Sequence, residues 1–279
     1  MTATVFSVET AAAQTPAAKP ATVRTATGQL GASINNAGLQ QSFDFTASRP
    51  LTTSKSPWLA DAHAAVGGSI AASPAGARAG VWVEVAPVSI WTVRAGVEPA
   101  QYFGTFHSLT SFDSRLEAFD AGAREARNAA ASGRTMNRYL TQTLQLQAGH
   151  FAARATLNSE HWTATVPGPL FYEPTRDSLL AVDGDHVQSI NSVLVYQRAL
   201  PGGGQLMFGP MHSLVRIHSE HQLNRIQKAG VVAGHQMSRN HFGLIRPRVS
   251  AQIAYYIDDP SKKGQWSAAA AVGFALKRR

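Results

Sequence analysis

The segment Trp266–Leu276, WSAAAAVGFAL, decides the fold of this chain. Its even-numbered positions are apolar and include Val272 and Phe274, whereas its odd-numbered positions carry only serine, alanine or glycine. Successive side chains of a β-strand point to opposite faces. This period of two therefore predicts a strand with one apolar face and one face of small side chains.

The same alternation recurs along most of the chain. In the preceding segment, Val249, Ile253 and Tyr255 alternate with polar or small residues, and the Pro/Gly-containing stretch 259–264 predicts a hairpin loop before the last strand. Comparable segments lie at 25–35, 42–48, 63–70, 81–85, 91–98, 141–148 and 151–160. Three further segments carry apolar residues on both faces, which predicts bulges or phase slips at 186–200, 206–218 and 223–237.

The number of strands depends on the segment 81–97. It is either one long strand or a hairpin that turns at 86–88, so the sequence predicts about ten to twelve strands. Two connections are long, at 104–135 and 165–185, and apolar residues at helical spacing predict a short helix within 114–131.

The polar faces distinguish a transmembrane barrel from a soluble sandwich. Only 15% of the residues are charged, and the polar faces carry mainly Thr, Ser, Gln and Asn, which is typical of a barrel lumen. Aromatic residues near the predicted strand ends suggest an interfacial girdle; they are Trp58, Trp91, Tyr102, Tyr139, Trp162 and Trp266. Because no apolar run reaches the roughly 18 residues of a spanning helix, a helical membrane protein is excluded.

The first residues differ in composition from the remainder. Residues 1–23 are rich in alanine and proline and are expected to be disordered. Ala11, Ala12 and Ala13 before Gln14 resemble the end of an export signal, although the charged start and apolar core are missing. This segment is therefore either the remnant of an export signal or an ordinary leader, and residues 24–279 form one barrel domain.

Over residues 24–279 the chain resembles bacterial outer-membrane β-barrel proteins of the porin-like class. The resemblance rests on serial alternation, the mixture of short turns and long loops, the export-like stretch 11–14 and a final amphipathic strand ending near Phe274. It implies an all-β, antiparallel, up-and-down transmembrane barrel in the bacterial outer membrane. The chain departs from that class at 276–279, LKRR, where an aromatic residue usually ends the last strand. No family motif is present.

The alternation assigns nine charged residues to the lumen: Asp44, Glu84, Arg94, Glu98, Arg154, Glu160, Arg216, Arg248 and Asp258. Charges of both signs inside a barrel either pair as a plug or line a solute path. We expect paired networks that leave a narrow and weakly selective path, and the loop 104–135 is expected to fold into the mouth.

The sequence gives little support for disulfides, catalysis or metal binding. The chain has no cysteine, which excludes disulfides and thiolate sites. No His-x-Ser pair is present. The reversed order, Ser-x-His, occurs at 159–161 and 219–221, and we interpret these residues as polar residues of the barrel rim rather than as catalytic groups. The histidines are too scattered to predict a metal site, and the acids of 176–177 and 183–185 are read as solvated loop residues.

The sequence thus predicts a non-enzymatic, porin-like passive channel or structural membrane protein without a cofactor. Its partners are outer-membrane lipid and small solutes. Nucleic acid is not expected despite a net charge of +8, because the basic residues are scattered singly. Three alternatives stay open: an outer-membrane lipid-modifying hydrolase, a soluble β-barrel that binds a ligand, and a partner-binding surface built from the long loops. Oligomeric state is not predicted.

Overall fold

A computed structural model describes residues 22–35, 38–219, 222–240 and 244–276. The leader 1–21 and the residues 277–279 lie outside this range. In chain order the elements are β1 Val23–Ile34, β2 Gly38–Pro50, β3 His63–Ser73, β4 Gly76–Val88, β5 Trp91–Phe103, a 3₁₀ turn Thr105–His107, β6 Ser111–Phe112, α1 Ala121–Arg127, β7 Ser132–Ala148, β8 Phe151–Ala164, β9 Leu170–Glu173, β10 Ser178–Ala181, β11 Asp185–Ala199, β12 Gln205–Ser219, β13 Gln222–Gln236, β14 Leu244–Asp258 and β15 Trp266–Leu276.

Twelve of these strands form a closed antiparallel barrel, which confirms the predicted fold class. Neighbouring strands follow chain order except where the short strands of the loops intervene, and β1 closes the barrel against β15, with Leu30 opposite Val272. The segment 81–97 is a hairpin, because Val88 pairs with Trp91 across the turn between β4 and β5. The count therefore lies at the upper end of the predicted range.

The apolar side of each amphipathic strand faces outward. Val81 is 63% exposed and Phe45 is 49% exposed, although both lie in the middle of paired strands. Large apolar side chains on other strands are exposed in the same way, including Ile70, Leu144 and Ile253. A soluble ligand-binding barrel would need these side chains inside, so the observed faces are the reverse of what that alternative requires.

Alternate connections of an antiparallel barrel lie at the same end. The long connections 104–131 and 165–184 share one end, which is called the loop end, together with the loop 259–265. The connections at the opposite end are shorter; they are 51–62, 89–90, 149–150, 200–204 and 237–243. Both long loops therefore begin at the same mouth of the barrel.

The two long loops contain a small domain of their own. Strands β6, β9 and β10 form a three-stranded antiparallel sheet in the order β10-β9-β6. The predicted helix within 114–131 is present as the seven-residue α1, whose N-cap Asp120 accepts a hydrogen bond from the backbone N–H of Ala123. No helix in the described part of the chain is both long and apolar enough to cross a membrane.

Candidate functional site: the barrel lumen and its plug

The small sheet plugs the loop end of the barrel. Phe171 and Leu180 are fully buried and belong to one apolar cluster with inward-facing side chains of the wall. The wall residues of this cluster are Tyr102, Trp162, Val187, Val215, Ile217, Ile226 and Tyr256. Three strands with apolar residues on both faces, β11, β12 and β13, supply four of them. At the loop end, their inner faces pack against the plug, and further from it inner residues of the same strands form a second apolar cluster with one another. Together these two clusters explain the broken alternation of these segments.

Glu160 of β8 is the first polar anchor of the plug. Its side chain is 4% exposed and accepts two hydrogen bonds from the guanidinium of Arg176, the one from Nε to Oε2 being 2.8 Å long. The indole N–H of Trp162 donates to the same Oε2 at 2.8 Å. A carboxylate buried to this degree depends on such donors, so this pair ties the turn between β9 and β10 to the wall.

Two further carboxylates, Glu173 of the plug and Asp185 at the start of β11, are each held through one oxygen, while Oε2 of Glu173 and Oδ1 of Asp185 are buried without a hydrogen-bond partner among the described residues. The hydroxyl of Tyr102 on β5 donates to Oε1 of Glu173 at 2.7 Å, and this oxygen also accepts from the backbone N–H and hydroxyl of Thr175. From the opposite direction, Arg115 of the first loop forms an ion pair with the buried Asp185 and donates to the carbonyl oxygen of Leu179 at 2.8 Å. The two long loops are therefore held to each other as well as to the barrel.

Asp177 connects the plug to the last hairpin of the barrel. Its carboxylate forms an ion pair with Lys262 of the loop 259–265 and accepts a hydrogen bond of 2.7 Å from the hydroxyl of Tyr172. Burial acts to raise the pKa of Asp177, but the ammonium of Lys262 and these hydrogen bonds hold the pKa below its ordinary value of 3.8. Burial and the charge of Asp177 raise the pKa of Tyr172, so its hydroxyl remains a donor.

The plug does not fill the whole mouth. A cavity of about 630 Å³ lies between it and the wall formed by β1 to β5. This side of the wall carries small or polar inner residues, including Gly31, Ser33, Ser42 and Ser73, whereas β11 to β13 carry large apolar ones. Apart from Tyr102, the wall that lines the cavity lacks the large apolar side chains that pack against the plug. Its charged lining residues are Arg78, Arg124, Glu125 and Lys262.

A second charge network lies deeper in the lumen, on β3 to β5. Glu84 accepts a hydrogen bond of 2.7 Å from Nε of Arg94, and its other oxygen lies 3.1 Å from Nε2 of His63. The Arg94 guanidinium stacks 3.8 Å above the ring of Trp82. Nearer the loop end, Arg78 of β4 and Glu98 of β5 form an ion pair of 3.4 Å. The charges of these three strands are thus paired across neighbouring strands.

The structure places seven of the nine lumen candidates on the inner face. Their cross-strand neighbours are other inner residues; for example, Asp44 lies between Thr27 and Ser69, and Arg154 lies opposite Gln145. The seven are Asp44, Glu84, Arg94, Glu98, Arg154, Glu160 and Arg248. Only some of them are brought together, because Glu84 and Arg94 belong to the deeper network, whereas Glu160 holds the plug.

The two remaining candidates require correction. Arg216 is exposed on the outer face, opposite Gln188 and Arg225, because the apolar residues on either side of it point inward against the plug. Asp258 is moved by a β-bulge: Lys228 pairs with Tyr256 but Gln227 pairs with Asp258, so Ile257 is the extra residue. The carboxylate of Asp258 consequently lies 3.9 Å from Arg225 on the outer side.

The aromatic girdle is also smaller than the sequence suggests. Trp91 and Trp266 lie at strand ends on the outer face, and Trp58 is exposed in a connection. Tyr102 and Trp162, however, are buried in the plug cluster, and Tyr139 pairs with Gly96 and Glu160 on the inner face. Proximity to a strand end does not determine which face an aromatic side chain occupies.

Of the two reversed Ser-x-His segments, only 159–161 lies wholly within the described residues. Ser159 and His161 lie on the outer face of β8, while the intervening Glu160 points inward to Arg176. The segment 219–221 lies largely outside the described residues. Within the described ranges, no group of three or more metal-ligating side chains is close enough to hold an ion.

Sequence reasoning missed the plug residues. The acids at 177 and 185 are 2% exposed rather than solvated, since each is paired with a basic side chain from another loop. The signal that could have identified them is the stretch 170–182, LFYEPTRDSLLAV, which is too apolar for a solvated loop. Such a composition indicates a loop that buries its side chains against something else.

Comparisons with known proteins show no family for this chain. No protein-family model and no curated protein matches the sequence. Among solved structures, the β domain of the Bordetella autotransporter Brka has 12% identity and a TM-score of 0.47, with 91% of this chain and 99% of that chain covered. The NanC porin has 9% identity and a TM-score of 0.40, with 91% and 100% covered. OmpT, an outer membrane protein of Vibrio cholerae, has 10% identity and a TM-score of 0.33, with 91% and 96% covered.

These solved structures are outer-membrane β-barrels, and the present chain is a closed barrel of twelve antiparallel strands with no specific family shown. The assignment of its architecture rests on the strand pairing of the chain itself, not on the degree of these similarities.

Proposed function

We propose that this protein is a bacterial outer-membrane barrel that passes small polar solutes along a narrow path beside its plug. The observation that carries this proposal is the cavity between the plug and the inner faces of β1 to β5. A fully plugged barrel would have large side chains on that side as well. Gly31 and Ser33 instead leave space at the mouth.

Membrane placement is supported by the outer face of the barrel. Large apolar side chains such as Val81, Phe45 and Ile253 are about half exposed or more, and no soluble core covers them. Transfer of such a band from water into hydrocarbon is favourable by a free energy of roughly 25 cal/mol per Å² of apolar surface. The closed hydrogen-bonded ladder leaves no open sheet edge, as the hydrocarbon region requires.

The path continues below the cavity along polar residues. Asp44 follows Ser42 by two positions on the same face of β2 and thus lies one row deeper in the lumen. The carboxylates of Glu84 and Glu98 are paired with Arg94 and Arg78, so they present little unbalanced charge to a passing solute. Weak selectivity and low conductance are therefore expected.

Conductance in planar bilayers tests the proposal, with a matched pair of substitutions. A Cβ at Gly31 would meet its closest neighbour, Cβ of Ala271, at 3.6 Å, so a larger residue there projects into the cavity without an immediate clash. Gly31→Phe is expected to lower single-channel conductance severalfold. Ala270→Phe, on the exposed outer face of β15, is the control and should leave conductance unchanged.

Absence of conductance in the unaltered protein, or equal conductance of the two variants, would reject the path beside the plug. A protein that inserts into vesicles without conducting would then be a structural membrane protein.

A further inference from the structure

Six basic side chains form a compact group on the outer face of the barrel at the loop end. They lie on strands β7, β8, β11, β12 and β13, and all are exposed or half-buried. This group, the basic belt, consists of Arg138, His161, His186, Arg216, His218 and Arg225.

Strand register places the belt directly next to the apolar band. Leu157, Ile190 and Leu214 are cross-strand neighbours and form the last apolar row. Two residues further towards the loop end, the next row contains Gln188, Arg216 and Arg225.

The following row joins four strands, with Arg138 opposite His161, His161 opposite His186 and His186 opposite His218. The outer surface therefore changes from apolar to basic between one row of outward-facing residues and the next. On a membrane barrel, such a change marks the level of the lipid headgroups.

The belt is not neutralised by the described acids. Arg225 approaches Asp258 at 3.9 Å, and both side chains are more than 40% exposed, which makes this a weak surface contact. Among the described residues, no carboxylate forms an ion pair with Arg138 or Arg216. His161 and His186 contact each other, with ring centroids 4.8 Å apart. The plug does not use these groups, because they point away from the lumen.

We propose that the basic belt binds the phosphate groups of an anionic membrane lipid whose acyl chains lie along the adjacent apolar rows. Arginine pairs with phosphate through two parallel hydrogen bonds, and cross-strand neighbours about 5 Å apart present several donors to one headgroup. The apolar rows beneath favour an amphiphile over a free anion. This inference rests on the membrane placement made under the proposed function, but it does not depend on the passage of solutes.

Native mass spectrometry of the full chain in neutral detergent tests the proposal, with phosphatidic acid as the probe and phosphatidylcholine as the neutral reference. The variant Arg138→Gln/Arg216→Gln is expected to bind phosphatidic acid roughly tenfold to thirtyfold more weakly, since each basic residue near an anionic surface contributes about one factor of five. Arg49→Gln/Arg198→Gln removes two exposed arginines from the opposite end and should change binding less than twofold. Arg138→Lys/Arg216→Lys should restore most of the affinity.

Equal losses in the belt and control variants would overturn the proposal, as would no loss in either. Displacement of phosphatidic acid by an equal concentration of inorganic phosphate would also overturn it, because the belt would then be a site for a free anion. Insertion into vesicles of phosphatidylcholine alone is measured separately, by heat-modifiable migration on a gel. Failure of insertion contradicts the membrane placement, whereas insertion without selective binding contradicts only the belt.

Discussion

Release of the plug by the substitution Arg176→Gln is the most direct test of the anchoring network. Glu160 is 4% exposed, and Arg176 provides two of its three hydrogen bonds. Breaking a buried pair by removal of one partner costs roughly 3–5 kcal/mol. Because the Arg176 side chain is 22% exposed, water partly replaces it, and we expect the lower end of this range.

A loss of about 3 kcal/mol corresponds to an increase on the order of a hundredfold in the population of the released plug. Chymotrypsin measures this population, since its target residues Phe171, Tyr172 and Leu180 are buried while the plug is seated. When reseating is faster than cleavage, the cleavage rate follows the open fraction. Arg176→Gln should therefore be cleaved within 165–184 on the order of a hundred times faster than the unaltered chain.

Arg127→Gln is the matched control. Arg127 also pairs with a carboxylate in a loop, at 2.6 Å from Glu117, but that side chain is 33% exposed and the pair is worth about 1 kcal/mol or less. Its cleavage rate should rise no more than about fivefold. A rate for Arg176→Gln within threefold of the unaltered chain, or equal acceleration in both variants, would refute the anchoring argument. In the double variant Glu160→Gln/Arg176→Gln, no unpaired carboxylate is left buried at this position. Part of the protection of the loop 165–184 against chymotrypsin should therefore return.

Two further predictions concern the plug and the lumen wall. The pKa of Asp177 in the folded protein is below its ordinary value of 3.8. The ionised carboxylate therefore stabilises the plug in the barrel mouth fully above pH 3.8, and this stabilisation is lost as the pH falls through the lower folded-state pKa. Pepsin cleavage of the loop 165–184 should therefore increase as the pH falls below about 4, and Asp177→Asn should reduce this dependence; identical profiles would contradict the role of the ion pair. Gly67→Ala should destabilise the barrel by roughly 1–3 kcal/mol in urea unfolding, because the added Cβ would clash with Cζ2 of the Trp82 ring. Gly273→Ala, with no atom within 4 Å of the added Cβ, should have almost no effect, and equal losses would contradict the packing argument.

The sequence by itself determined the architecture of the wall. Alternation is a local property of each strand, and it recurs in segments such as 248–258 and 266–276. It was sufficient to predict an antiparallel barrel, the outward direction of the apolar faces and a range that contains the observed twelve strands. The short helix and both long loops were also recognisable, since their periodicity and length differ from those of the strands.

Only the tertiary structure decided what fills the lumen. Alternation does not identify the inner face of a strand when both faces are apolar, so Arg216 was assigned to the wrong side. The bulge that moves Asp258 to the outer face depends on the pairing of β14 with β13, and this pairing cannot be predicted from the local sequence pattern. Glu160 and Arg176 are 16 positions apart, and Asp177 and Lys262 are 85 apart. Such contacts exist only once the loops have folded into the mouth, because burial of their apolar side chains against the wall brings the charges together.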